Sequence, residues 1–180
     1  IIDNMKTYLH QGQVAREYCN IEQLIDKAID LITPSYKKAR VKLGKKILTQ
    51  GIVGLVSKTE IEQVLLNLMK NALDALKSAE TAKGEVVVQL SRSNESKNIC
   101  IEVRDNGPGI AAEIQGKIFN PFFTTKESGE GTGLGLSICV QIVESHQGEL
   151  SFSSKKGQGT TFKLKLPAME VMSYSEGQAL

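Results

Sequence analysis

Leu65-Leu66-Asn67-Leu68-Met69-Lys70-Asn71-Ala72 sets two amides into an otherwise apolar run. Ile61, Val64, Leu65, Leu68, Met69, Ala72, Leu73 and Leu76 recur at helical spacing and line one broad face, which predicts a helix from about Thr59 to Ala79. Ser57 or Thr59 can cap its start. A separation of four residues makes Asn67 and Asn71 neighbours on one helix face. A semi-buried amide costs free energy unless it is hydrogen-bonded or coordinates something. Amide oxygens are hard donors that suit Mg2+, a cation that keeps several waters and takes few protein ligands. The same spacing also fits two amides on the solvent edge of the helix. This stretch alone leaves both readings open.

Two strands are expected downstream, Glu85 to Arg92 and Asn98 to Asp105, and the second runs into Asp105-Asn106-Gly107-Pro108-Gly109. Gly107 and Gly109 let the backbone turn sharply and approach a ligand closely. A carboxylate at such a strand end can accept a hydrogen bond from the exocyclic amine of adenine and would repel the carbonyl that guanine has there. A plain tight turn is equally natural for these residues. Further on, Gly129-Glu130-Gly131-Thr132-Gly133-Leu134-Gly135-Leu136 opens a helix. Its backbone N–H groups and the helix N-terminus suit phosphate, although a polar loop without a ligand has the same composition. It lacks the Gly-Lys-Ser/Thr of a Walker A loop and the strand-borne G-x-G-x-x-G of a dinucleotide fold. Lys126 stands just upstream, within reach of a terminal phosphate or simply solvated. Gly157-Gln158-Gly159-Thr160 alone reads as a hairpin turn.

The rest of the chain supplies the frame. Ile2, Met5 and Leu9 suggest a helix that stops near Gly12. Asn20 can cap a second helix through Ile21, Leu24, Ile25, Ala28, Ile29 and Ile32, with Pro34 soon after its end. Ala39 to Thr49 reads as a weak strand, and Ala111 to Lys117 as a short helix leading to Phe119-Asn120-Pro121-Phe122-Phe123. Leu134 to His146 returns to helix, which Gly148 can end, and Glu149 to Ser154 with Thr160 to Leu166 form a closing hairpin. Helices and antiparallel strands are partly segregated, so the expected class is α+β: a two-layer α/β sandwich, not a doubly wound sheet.

At 41% hydrophobic residues the chain can bury a core, and a net charge of +2 with interspersed signs makes no case for nucleic acid. No apolar run reaches bilayer-spanning length and no signal-peptide pattern opens the chain. Ile1 in place of Met suggests a start inside a larger protein. Cys19, Cys100 and Cys139 are odd in number and widely spaced, which fits three reduced, mostly buried cysteines in a cytosolic domain and no zinc site.

In this order and on these elements, the motifs resemble the GHKL (Bergerat-fold) ATPases and, within them, the sensor histidine kinases, from about Asn20 to Pro167. Glu62 to Leu76 is similar to the family's N box, Asp105 to Gly109 to the G1 box, and Phe119 to Phe123 with Thr124-Thr125-Lys126 to the F box. Gly131 to Leu136 is similar to the G2 box, and Gly157 to Thr160 to the last Gly-rich motif. The resemblance implies a Bergerat-type sandwich with a mixed, mostly antiparallel sheet on about three helices. It implies ATP and Mg2+ as cofactors. Asn71 would coordinate Mg2+, with Asn67 on the phosphates or the metal shell. Asp105 would bind the adenine amine, assisted by Thr160, while Gly107, Gly109 and Ile110 line the base pocket. Phe119 and Phe123 would anchor a lid. Thr125, Lys126, Gly131, Thr132, Gly133, Leu134, Gly135 and Leu136 would surround the phosphates, and Asn67, Asn71 and Lys126 would carry the catalytic roles.

Hydrolytic branches of this fold carry a Glu four residues before the metal-binding Asn. Here Asn67 stands there, and a carboxamide is no general base. The resemblance therefore implies phosphoryl transfer to a histidine on a dimerisation domain, with an ATPase or a non-catalytic nucleotide module as alternatives. One departure is Asp74, where many histidine kinases have Lys or Arg. His10 lacks the acidic neighbour of the family's acceptor motif, and His146 ends a helix whose carbonyls an imidazole can cap, so the acceptor is expected elsewhere. The implied organisation is 1–13 as the end of a dimerisation helix or linker, 14–168 as the catalytic domain and 169–180 as a loose tail. The implied partners are the phosphoacceptor helices and a response-regulator receiver domain. A cytoplasmic location, a dimeric parent that can be an inner-membrane sensor, and a monomeric fragment complete the expectation.

Overall fold

The computed structural model describes residues 15–93, 98–126 and 131–168. The helix expected around Ile2 to Leu9, His10, Gly129, Glu130 and the tail from 169 lie outside these residues. Among the described residues, seven strands and four helices follow one another: β1 (Glu17–Asn20), α1 (Ile21–Ala39), β2 (Lys42–Ile47), β3 (Val53–Val56), α2 (Lys58–Ser78), β4 (Glu85–Arg92), β5 (Ile99–Asp105), α3 (Ala112–Gln115), α4 (Gly135–Ser145), β6 (Glu149–Ser154) and β7 (Thr160–Leu166). The strands of the main sheet lie in the order β2-β4-β5-β7-β6. Only β2 and β4 run parallel; the remaining neighbours are antiparallel. α1, α2 and α4 cover one face. This is the two-layer sandwich that the patterning predicts, with the mixed, mostly antiparallel sheet that the resemblance implies.

Alternation explains the layering. Val86, Val88 and Leu90 on β4, Ile99, Ile101 and Val103 on β5, and Phe162, Leu164 and Leu166 on β7 all point into the core. The opposite face carries ion pairs between directly opposed residues, Glu102 with Lys163 at 3.1 Å and Glu149 with Lys165 at 3.2 Å. Beneath the sheet, α2 buries Ile61, Val64, Leu65, Leu68, Met69, Ala72, Leu73 and Leu76. Each such large side chain contributes roughly 1.5–3 kcal/mol on leaving water. Ser57 caps α2, its hydroxyl accepting from Glu60 N at 3.3 Å. The three cysteines are free and buried.

Three features depart from the expectation. α1 does not stop before Pro34 but runs through it to Ala39, ended by Arg40 in the left-handed region (φ 56). An internal proline costs a helix about 3 kcal/mol. Two further turns offset this by burying Tyr36, whose hydroxyl donates to Met69 O at 2.7 Å. Secondly, β1 and β3 form a separate antiparallel ribbon that periodicity did not show. Thirdly, the helix end after His146 is turned by Gln147 (φ 58), while Gly148 N closes on Val143 O at 2.9 Å.

His146 ties two helices together. Its Nε2 accepts the Ser57 N–H at 3.0 Å, so Nδ1 carries the proton and donates to Ile142 O at 2.7 Å. One buried imidazole thus closes the last turn of α4 and the first turn of α2. His146→Ala should destabilise the domain by about 3 kcal/mol, because it opens a cavity and strands a buried N–H. A thermal melt should fall by about 6–12 °C; a drop below about 2 °C would show that the imidazole does not hold the helices.

Candidate functional site

Asn67 lies on the face of α2 that meets the start of α4, with Asn71 one turn further along. A Cβ built at Gly135 would sit 3.8 Å from Asn67 Oδ1. Cys139, one turn further along α4, is fully buried, and burial pushes its thiol up to about 12. Asn67 and Asn71 are half-buried, and Asp74 continues the same stripe three residues further on. Leu134, the N-cap of α4, provides no side-chain capping bond. Its first-turn N–H groups therefore keep the positive potential of a helix start.

The other end of the site is Asp105 at the end of β5, 5% exposed. Its Oδ1 accepts from Gly107 N at 2.8 Å and Thr160 N at 3.2 Å. With Oδ1 engaged, Oδ2 is the acceptor available to an amine. Burial raises this carboxyl above the ordinary range, and the two backbone N–H groups partly counter that. Gly107 leans towards α2, where a Cβ would meet Leu76 Cδ2 at 3.4 Å. From Leu76 back to Asn67, α2 runs about 13 Å, a length that a nucleoside triphosphate can follow from base to γ-phosphate.

The Gly-rich segments are stitched to their neighbours by backbone. A Cβ on Gly159 would lie 2.0 Å from Asp105 O, and one on Gly109 would lie 2.3 Å from Lys155 O. Gly157 N donates to Pro108 O at 2.7 Å. The β6–β7 turn therefore rests on the G1 segment. Gly133 (φ 65) stacks on Phe122 (φ 67), a Cβ there falling 2.3 Å from Phe122 C. Thr132 Oγ1 accepts from Leu134 N at 3.4 Å. Gly131 packs on Thr124 and Lys126, while Thr125 is exposed and Leu136 half-buried.

Sequence reasoning missed Ser154. Its hydroxyl accepts from Ile110 N at 2.8 Å, donates to Gly159 O at 3.1 Å and meets Thr160 Oγ1 at 3.0 Å. It joins the G1 segment to the Gly157–Thr160 motif at one atom, yet nothing about Ser151, Ser153 and Ser154 of β6 singles it out. Phe119 packs edge-on to Phe152 with ring centroids 5.6 Å apart and to Phe162 at 6.5 Å. It anchors the F-box segment to the sheet. Phe123 is half-buried and Phe122 is 75% exposed.

An amide stripe beside a helix start and a buried carboxylate at a central strand end thus lie on a two-layer sandwich with a mixed, mostly antiparallel sheet. Residues 57–170 match the family described as histidine kinase-, DNA gyrase B-, and HSP90-like ATPases, and the chain belongs to that family. The C4-dicarboxylate transport sensor protein DctS of Rhodobacter capsulatus is 36% identical over 149 residues, covering 82% of this chain and 22% of that protein. The catalytic domain of histidine kinase ThkA superposes with a TM-score of 0.73 at 30% identity, over 85% of this chain and 95% of that one. ThkA bound to the response regulator TrrA matches with a TM-score of 0.75 at 25% identity, over 93% of this chain and 46% of that one. Within the family, this chain is a sensor histidine kinase ATP-binding catalytic domain. It spans less than a third of the first curated relatives, 22% and 30% of their lengths. Among the described residues no helix is long and apolar enough to cross a membrane.

Proposed function

We propose that residues 14–168 bind Mg2+-ATP and donate its γ-phosphoryl group to a histidine on a dimerisation domain outside the described residues. The observation that carries this reading is the chemistry beside Gly135. Asn67 has no basic lone pair, and Cys139, held protonated by burial, cannot take a proton from water either. A nucleotide held there would be shielded from general-base hydrolysis and kept for an external nucleophile. An imidazole nitrogen would attack the γ-phosphorus in line, the bond to the β,γ-bridging oxygen would break, and ADP would leave.

The donor set fits Mg2+. Among the described residues no group of three His, Cys, Asp or Glu could hold a metal. Mg2+ commonly relies on one or two protein oxygens plus phosphates and waters, and the Asn71 amide, with Asn67 beside it, provides such oxygens. When bound, the ion would neutralise charge on the phosphates. Asp105 and Thr160 would orient the base. Lys126 and the backbone from Gly131 to Gly135 would hold the phosphate end. A receiver domain is the expected downstream partner, as supported by the ThkA–TrrA pair.

The test mixes this chain with the acceptor helices of its parent and γ-labelled ATP. Acid-labile phosphate on those helices is expected, and Asn71→Ala should reduce its rate of appearance by about 100-fold. Steady ADP release without phosphohistidine would replace the kinase reading with an ATPase, and nucleotide binding with neither product would leave a binding module.

A further inference from the structure

Lys126 is already engaged. Its Nζ lies 2.5 Å from Asp74 Oδ2, and the two side chains are only 33% and 27% exposed. Asp74 belongs to the stripe of Asn67 and Asn71 on α2. On its other side the lysine stem packs on Gly131, where a Cβ would come within 3.1 Å of Lys126 Cδ. Thr124 Oγ1 accepts the Lys126 backbone N–H at 3.1 Å, which fixes the root of the side chain. The ammonium next to the start of the phosphate-facing segment is therefore paired with a carboxylate of the amide-bearing helix.

We propose that Asp74 competes with the triphosphate for the Lys126 ammonium and so sets how tightly the phosphate end is held; this rests on reading the cleft as an ATP site. Two effects oppose each other when Asp74 loses its charge. The freed lysine gains side-chain mobility, which weakens a phosphate contact through entropy. Against that, the full ammonium charge turns to the phosphates and a carboxylate stops repelling them. Over a few ångströms in a partly desolvated cleft the charge effect is the larger. The pair therefore acts as a counterweight that spares the base end and bears on the phosphates alone.

The experiment titrates the 180-residue chain and its Asp74→Asn, Asp74→Glu, Lys126→Ala and Asp74→Asn/Lys126→Ala variants with Mg2+-ATP, Mg2+-ADP and adenosine. Asp74→Asn should tighten ATP binding about tenfold and ADP binding less, leaving adenosine unchanged. Asp74→Glu, which keeps the charge, should stay within about threefold of the parent chain. Lys126→Ala should weaken ATP binding more than about tenfold, because the carboxylate then faces the phosphates alone, and adding Asp74→Asn should restore most of that loss. Unchanged or weaker ATP binding in Asp74→Asn overturns the proposal, as does a double variant no better than Lys126→Ala. An equal shift for adenosine would reveal a structural role and overturn it too. If the parent chain itself fails to bind Mg2+-ATP, the site reading falls along with the competition; if it binds and Asp74→Asn matches it, only the competition falls.

Discussion

Asp105→Asn will weaken ATP binding about 100-fold while the fold stands. The substitution separates two duties of one side chain. An Asn Oδ1 can still accept from Gly107 and Thr160, so the joint between β5, the G1 segment and β7 is preserved. The Nδ2 that replaces Oδ2 is a donor, and it would meet the donor amine of adenine. Two donors facing each other in a buried site forfeit a charge-assisted hydrogen bond and leave both groups unsatisfied, about 3 kcal/mol together.

Stability should move the other way. Burial raises the Asp105 carboxyl above its ordinary value, so its folded-state affinity for a proton exceeds that of the unfolded chain. Such a group favours folding below the unfolded pKa, and that contribution is lost as pH rises through the folded value. At neutral pH the ionised, buried Asp105 is thus a burden on the fold that Asn removes. Calorimetric titration and a thermal melt on the same samples check both halves. Full affinity in Asp105→Asn would refute the adenine contact, and a collapsed melting temperature would show that the charge holds the strand end.

Gly159→Ala should be the most destabilising single-methyl change in the β6–β7 turn, at about 4 kcal/mol or more. Two penalties act together there. The backbone is left-handed at φ 87, which an L side chain tolerates poorly. The new methyl would also lie 2.0 Å from Asp105 O, 2.9 Å from its carbonyl carbon and 3.1 Å from Asn106 Cα. These are backbone atoms held in place by β4, where Asp105 pairs with Val86 and Asn106 N donates to Glu85 O at 3.2 Å, so they cannot step aside. Gly157→Ala supplies the control: it shares a positive φ of 77, but nothing lies within 4 Å of its Cβ. It should lose only about 1–2 kcal/mol. Comparing the two melts isolates the clash from the dihedral. Equal losses would mean that the turn is not seated on β5; a larger loss at Gly159 should bring loss of ATP binding with it, since the same carbonyl belongs to the residue proposed to bind adenine.

Legibility in the sequence followed local regularity. β4 to β7, α2 and α4 were readable because each alternates or repeats with its own period over six or more residues. The Asn20 cap was readable too, and the structure shows it accepting from Gln23 N at 3.2 Å. β1 and β3 have four residues each, too few for a period, and Gly54 interrupts the second. That glycine is spatial in origin: a Cβ would fall 2.8 Å from Ile99 Cδ1, a neighbour far away in sequence. Pro34 misled because its local penalty is visible in the chain, whereas the compensating burial of Tyr36 against α2 is not.

The site divides in the same way. Asn67, Asn71, Asp105 and the glycines could be picked out because polar or small residues in those places are locally odd. The Asp74 side chain stood out only as a departure from a pattern, and its partner Lys126 lies 52 residues away, beyond any local signal. Ser154 carried no signal at all. Its importance comes from the G1 segment and the β6–β7 turn converging on one hydroxyl.

The sheet order has a last consequence. Asp105 ends the middle strand of five, paired with Val86 on one side and accepting from Thr160 N of β7 on the other. Lys126 and Gly131 to Leu134 lie on stretches with no strand partner. Adenine would then meet a surface whose shape is settled in advance, while most of the ordering would fall on the triphosphate end. On the proposed reading, discrimination between bases and the ease of letting the spent nucleotide go would thus be written into different parts of the polypeptide. Selection can retune how quickly such a domain cycles, by changing residues at the loose end, without relearning which nucleotide it reads.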